Sequence, residues 1–186
     1  MRYLVSLLIF ALALTVMLYS CSGVAERDRL AYQNGHLYVE ADFTIDGEPV
    51  TASLEIEAAE YDGEGRMLFR DTVLTMGENS IVSGVSFIFT GGEAYVSSGE
   101  LKIPIKDDGV ISGITDIISL FCISSDSYYS SEMVTEGGLE CERCVYINGE
   151  NRVEVLLDLS CELPVSINAV IDGRELSAHI RLIRVE

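Results

Sequence analysis

The feature that most constrains this chain is an alternation of apolar and polar side chains with a period of two. Leu37, Val39, Ala41, Phe43 and Ile45 alternate with His36, Tyr38, Glu40, Asp42 and Thr44. After Asp46-Gly47 the pattern resumes, with Val50, Ala52, Leu54, Ile56 and Ala58 set against Thr51, Ser53, Glu55 and Glu57. Successive side chains of a strand point to opposite faces, so each segment has one apolar and one polar side. Two half-buried antiparallel strands joined at an Asp-Gly turn are predicted. Burying Leu37, Val39, Phe43 and Ile45 alone contributes ~6–12 kcal/mol gross, at ~1.5–3 kcal/mol each.

The same period governs most of the chain after residue 60. "YDGEG" (61–65) turns the chain, and weaker strands are predicted near 66–75, 84–90, 93–98 and 101–105, punctuated by Gly91-Gly92 and Ser98-Gly99. Pro104 marks the last of these as an edge or an early stop. "CVYINGENRVEVLLDL" (144–159) reads as strand, Asn148-Gly149 turn, strand, and "LPVSINAVIDGRELSAHIRLIRV" (163–185) as strand, Asp172-Gly173 turn, strand. One segment differs. In "SGITDIISLFCI" (112–123), Ile114, Ile117, Ile118 and Phe121 fall at helical spacing, with Ser112 as a cap and Asp116 in the first turn. Leu120 and Ile123 make this helix apolar nearly all round, so it must pack on both sides or under a sheet. "SSDSYYSSE" (124–132) reads as a polar loop. The predicted class is mainly β (α+β): a single curved antiparallel sheet, an incomplete barrel of roughly eight to eleven strands wrapping one or two short apolar helices.

The first twenty residues have a different character. Arg2 is followed by an almost wholly apolar run from Leu4 to Leu18, the layout of a secretory signal. Leu18-Tyr19-Ser20-Cys21 resembles the lipobox of bacterial lipoproteins, in which an aliphatic residue, a variable one and a small one precede a lipidated cysteine. As a helix, residues 3–19 would span roughly 26 Å, short of a hydrocarbon core of about 30 Å. We therefore expect residues 1–20 to be a signal peptide, Cys21 the site of lipidation, 21–35 a short leader and 36–186 the folded domain. Such a protein is extracytoplasmic and anchored to the bacterial membrane by its N-terminal lipid, whose two acyl chains suffice for stable attachment.

Charge narrows the partners. Without residues 1–20 the chain has 11 basic against 30 acidic residues, a formal charge of −19. Nucleic acid is excluded as a partner, and an anionic bilayer would repel the domain, leaving the lipid to hold it. Beyond Cys21 the cysteines are Cys122, Cys141, Cys144 and Cys161. An oxidising compartment permits disulfides, and four thiols allow three full pairings between which the sequence does not choose; buried thiols are the alternative. Cys141-Glu142-Arg143-Cys144 has CxxC spacing, but it runs into a strand instead of opening a helix, which argues against a redox centre. The cysteines lack the doubled spacing of zinc ribbons, so no metal or cofactor is expected. His36 and His179 fall on the polar sides of strands. No HExxH, GxSxG, P-loop or EF-hand pattern occurs, and Ser86 in "GVSFI" lacks the second glycine of a nucleophile elbow, so the protein is not expected to be an enzyme.

This order of elements resembles the LolA/LolB-like half-barrel lipoproteins, and within them the small clostridial lipoproteins of the spore-germination type. The resemblance rests on "LLDLSCELPVSINAVIDGRELSAHIRL" (156–182), on "LAYQNGHLYVEADFTIDG" (30–47) and on "SGVSFIFTGGEAYVSSGELKIPI" (83–105). It implies an incomplete barrel whose concave face is covered by helices and holds acyl chains. Members carry or receive lipidated proteins, sense envelope lipids or bind a partner protein. On that basis Leu37, Val39, Phe43, Leu54 and Ile56 would line a ligand groove together with Ile114, Ile117, Ile118 and Phe121 of a helical plug or lid, with Tyr128 and Tyr129 at its hinge or rim; plain core filling is the other role open to the helix. The expected function is binding of a lipid or acyl chain. The alternative is a non-catalytic partner module that regulates or localises an envelope or spore-cortex protein.

Overall fold

Strands form where the period-two pattern runs, and they all join one sheet. The computed structural model describes residues 28–58, 70–78, 82–91, 93–106 and 108–186. Cys21, the segment 1–20, the "YDGEG" turn and the expected start of a strand at 66–69 lie outside the described residues. The strands are β1 (Leu37–Ile45), β2 (Glu48–Ile56), β3 (Thr72–Met76), β4 (Ser86–Thr90), β5 (Glu93–Ser98) and β6 (Leu101–Pro104), then β7 (Tyr128–Glu136), β8 (Leu139–Asn148), β9 (Asn151–Asp158), β10 (Pro164–Ile171) and β11 (Arg174–Val185). Their spatial order is β6-β5-β4-β3-β2-β1-β11-β10-β9-β8-β7, antiparallel throughout and open at both edges.

This order places the helix. From β1 at the middle of the sheet the chain meanders out to β6, then resumes at the opposite edge with β7 and meanders back to the middle. The connection from β6 to β7 must therefore cross a whole face, and it carries α1 (Asp108–Ser119). The face it crosses is the apolar one. Burial alternates along β1, where Leu37, Val39, Ala41 and Phe43 are buried, and along β2, where Ala52, Leu54 and Ile56 are. Leu74, Phe89, Val155, Leu157, Ile167, Ala169, Leu176 and Ala178 continue the same core across the sheet.

A bulge keeps the phase. Ala41 pairs with Ile180 but Glu40 pairs with Leu182, so Arg181 is an extra residue in β11. A strand with strict alternation would put Ile183 on the polar face; the extra residue returns it to the core, opposite Val39. Further register shifts occur in β10 after Pro164 and in β7 after Tyr128. Each bends its strand and adds to the curl that lets a wide sheet wrap one helix.

Four details differ from expectation. The helix begins at Asp108, four residues before Ser112, because Gly109 and Gly113 weaken the local helical signal. It ends at Ser119, and Leu120, Phe121 and Cys122 follow in tight turns bonded to Ile117, Ile118 and Ser119. Residues 128–136 are the edge strand β7 and not a loop; an edge strand with neither face deeply buried shows no alternation. Between β8 and β9 the two turn residues are Gly149 and Glu150, since Asn148 pairs with Asn151, and the positive φ falls on Gly149. By contrast Asp46-Gly47 and Asp172-Gly173 both have positive φ at both positions, as type I′ turns require.

The core also reaches into the expected leader. Leu30, Tyr32 and Gln33 are buried around a short 3₁₀ turn at Ala31–Gln33. Gly35 then lets β1 start against the end of β11. A Cβ there would lie 2.7 Å from the Glu186 carbonyl oxygen and 2.7 Å from Val185 Cγ1. His36 and Glu186 exchange both backbone hydrogen bonds at 3.0 Å.

Candidate functional site: a groove closed by its own helix

All nine residues expected to line the groove come together, and all nine are buried. Leu37, Val39, Phe43, Leu54 and Ile56 rise from the sheet, while Ile114, Ile117 and Ile118 of α1 and Phe121 just beyond it press down on them. The Phe121 ring meets Phe43 edge to face, with centroids 6.4 Å apart. The middle of the groove is therefore filled with the protein's own side chains, so these residues pack a core and do not line an open cavity.

Space remains beside the helix. A cavity of about 570 Å³ lies between the first half of α1 and β4–β6, lined by Phe89, Ala94, Pro104, Ile105 and Ile111, with Glu93, Lys106 and Thr115 completing the wall. Its volume is within the range of small-ligand sites, about 300–1,000 Å³. The weak strands at this edge create it: β6 has four residues, all exposed, and brings no bulky buried side chain under the helix. A depression of equal volume, about 570 Å³, lies along Thr44, Asn168, Glu175 and Ser177. Arg152, Glu154 and Glu175 share its wall, so an apolar occupant would desolvate charges there.

Two sets of contacts hold α1 down. At one end Arg174, the first residue of β11, joins Asp116 of α1 to Asp46 of the β1–β2 turn; its Nε lies 3.0 Å from Asp46. Asp46 Oδ1 also accepts the Glu175 N–H at 3.0 Å. The Arg174 hydrogen bond, then that backbone N–H, hold the Asp46 carboxyl below the usual aspartate range. Burial raises Asp116, with Arg174 pulling the other way. The signs oppose each other. Asp46 contributes stability that is present above the ordinary aspartate pKa and lost as pH falls through its depressed value, whereas the Asp116 contribution weakens as pH rises through the aspartate range. Arg174→Ala is expected to loosen α1 more than the sheet. Amide exchange across 114–119 should quicken by about three- to ten-fold, while β1 and β11 amides stay protected.

At the other end Gln33 Oε1 accepts the Ile123 N–H at 3.0 Å, and Gln33 Nε2 donates to Tyr32 Oη at 3.2 Å. Arg70 is buried there. It donates to the Glu57 carbonyl at 2.5 Å and to the Gly35 carbonyl at 2.8 Å, and it lies beside the Cys122 thiol. Neither Arg70 nor Arg174 stands out in the sequence, because a polar residue at a strand end or in a turn looks like surface. Before β1, Arg29 Nε pairs with the buried Glu142 at 2.7 Å and its guanidinium lies 4.9 Å from the centre of the Tyr128 ring. Tyr128 is thus held on Tyr146 and under Arg29 although it is partly open to solvent, and Tyr129 is more exposed still.

Cys122, Cys141, Cys144 and Cys161 form no disulfide with one another in this structure and are distributed over two faces. Cys144 belongs to the core and Cys122 packs against it, near Tyr32, while Cys141 points to the other face. Positions three apart in a strand point to opposite sides and lie roughly 10 Å apart. A direct Cys141–Cys144 bond would need Cα atoms within about 7 Å, so the CxxC spacing forms no redox pair. Among the described residues no cluster of three His, Cys, Asp or Glu side chains could hold a metal ion, and no helix is long and apolar enough to cross a membrane.

No protein-family model and no curated protein matches this sequence. Several solved structures are similar in shape. MucB is 13% identical with a TM-score of 0.47, over 85% of this chain and 56% of MucB, so the chain spans little more than half that protein. A domain from Vibrio parahaemolyticus described as an outer membrane lipoprotein-sorting protein domain is 12% identical with a TM-score of 0.42, covering 86% of this chain and 89% of that one. The Mycobacterium tuberculosis lipoprotein LppX is 12% identical with a TM-score of 0.40, over 87% of this chain and 100% of LppX. Likeness at this level does not bear on chemistry, and function has to be inferred from the geometry of the groove.

Proposed function

We propose that this protein is an extracytoplasmic lipoprotein, anchored through Cys21, that binds the hydrocarbon part of a lipid between α1 and β4–β6. The observation that carries the reading is the apolar cavity of about 570 Å³ against the flank of a single covering helix. Each methylene removed from water there is worth about 0.8 kcal/mol, so eight of them would supply roughly 6 kcal/mol gross. Ordering the chain and the ligand's lost freedom reduce that figure. Lys106 lies in the same wall, where its ammonium suits a carboxylate or phosphate head group. Displacing α1 would extend the site into the filled middle of the groove, at the cost of the packing made by Ile117, Ile118 and Phe121.

Native mass spectrometry of the full-length chain made in bacterial cells tests this. Lipid-sized adducts are expected on the wild type. They should be lost, with at least a ten-fold weaker affinity for added fatty acid, in Ile111→Trp, whose indole fills the cavity. Incorporation of labelled palmitate, abolished in Cys21→Ala, tests the anchor. A wild-type protein that carries no lipid and ignores added fatty acid would rule the reading out. The second reading, a partner-binding module without catalysis, is supported by the self-filled middle of the groove and by the exposed Tyr129 and Met133 on the β7 edge.

A further inference from the structure

Cys141 and Cys161 share one neighbour. Cys141 in β8 is paired directly with Asp158 in β9, and directly opposed residues project from the same face, about 4.5–5.5 Å apart. The chain then folds back at once. Asp158 Oδ1 accepts the Ser160 N–H at 2.7 Å, the Asp158 carbonyl accepts the Glu162 N–H at 2.8 Å, and Leu159 N–H bonds the Glu140 carbonyl at 3.1 Å. This turn lays residues 159–162 over the end of β8, with Glu162 at a positive φ. This turn, tied down by the Asp158 carboxylate, carries Cys161 back beside Asp158, whose carboxyl it helps to hold below the usual aspartate range, and so onto the face that Cys141 occupies. Cys141 has no exposed surface, although Leu139 and Glu140 before it are open to solvent. Cys161 is exposed.

We infer that Cys141 and Cys161 are a disulfide-forming pair that staples the β9–β10 turn to β8 on the outer face of the sheet. The sheet excludes the other partners: Cys144 and Cys122 lie on the core side, across the backbone layer. The difference in access sets the order of the chemistry. Cys161 as thiolate attacks a donor disulfide such as oxidised glutathione, forming a mixed disulfide and releasing one glutathione thiolate. Cys141 then loses its proton, attacks the Cys161 sulfur and expels the second glutathione. Two protein thiols are oxidised and one donor disulfide is reduced to two thiols. Burial, followed by Asp158, Glu136 and Cys161, raises the Cys141 thiol pKa, which suits it to this second, intramolecular step better than to reaction with free oxidants.

The test is the full-length chain, incubated with oxidised glutathione, alkylated under denaturing conditions and cleaved after glutamate and after basic residues. Glu132, Arg143 and Glu154 separate Cys122, Cys141, Cys144 and Cys161 onto different peptides. The expected product joins Cys141–Glu142 to the peptide holding Cys161. Its unfolding equilibrium should be about 100-fold less favourable than that of the reduced chain, and Cys161→Ser should abolish that difference. Recovery of Cys141 as the alkylated thiol, or joined to any other cysteine, would overturn the inference. So would a linked product no more stable than the reduced one.

Discussion

Phe121→Ala is expected to lower the free energy of unfolding by about 3–5 kcal/mol and the melting temperature by about 10 °C. The ring has no exposed surface and sits just past the end of α1, against Phe43 of the central strand. Alanine removes the transfer free energy of the ring, the edge-to-face contact, and leaves a hole that the rigid sheet cannot collapse to fill. Urea denaturation monitored by circular dichroism gives the value. Thr115→Ala, on the exposed side of the same helix, should change it by no more than about 0.5 kcal/mol. A loss below about 1 kcal/mol for Phe121→Ala would mean that the helix does not occupy the groove. The same substitution enlarges the apolar space under α1, so the variant that folds less stably should bind a longer hydrocarbon chain.

Arg70→Met is expected to cost about 3 kcal/mol or more. The substitution keeps much of the side chain's apolar volume but withdraws the donors that serve the carbonyls of Gly35 and Glu57. Both carbonyls lie where three parts of the chain meet: the entry to β1, the exit from β2 and the segment after α1. Both hydrogen bonds are partly shielded from solvent, so each carbonyl that loses its donor regains water only in part. Lysine restores charge but not the fork that reaches two carbonyls at once, so Arg70→Lys should recover less than half of the loss. The measurement is the urea midpoint at unchanged slope; a midpoint for Arg70→Met within error of the wild type would remove Arg70 from the support of the groove.

The sheet is legible in the sequence, and the reason is its single buried face. Leu37 through Ile56 declare their strands because water on one side and α1 on the other impose opposite preferences on neighbouring residues. The groove residues on those strands are legible for the same reason. The helix residues are recognisable by their spacing, but the helix start is read late because glycines at 109 and 113 mask it. β7 is illegible, since an edge strand with two wet faces has the composition of a loop. The bulge at Arg181 is illegible too: Leu182 satisfies strict alternation after Ile180, and only the adjacent apolar pair Leu182-Ile183 hints at the shift. Arg70, Arg174 and Gln33 matter through what they touch, and contacts across 58 positions, as for Arg174 with Asp116, leave no local pattern. The cavity beside α1 arises from what β6 fails to supply.

The first and last strands meet in the middle of the sheet, and this has a consequence for how the molecule is born. Each wing can zip up neighbour by neighbour across short turns, which is cheap in loop entropy. The seam between β1 and β11 cannot, because Leu37 waits for Val185. A polypeptide synthesised amino end first therefore presents the β1 edge unpaired until β11 arrives. During that interval the central strand of the finished protein is its most vulnerable template for pairing with a stranger. Closing the seam is the event of highest contact order and the natural bottleneck of folding. Until it happens, the two wings are joined through the crossing segment that carries α1.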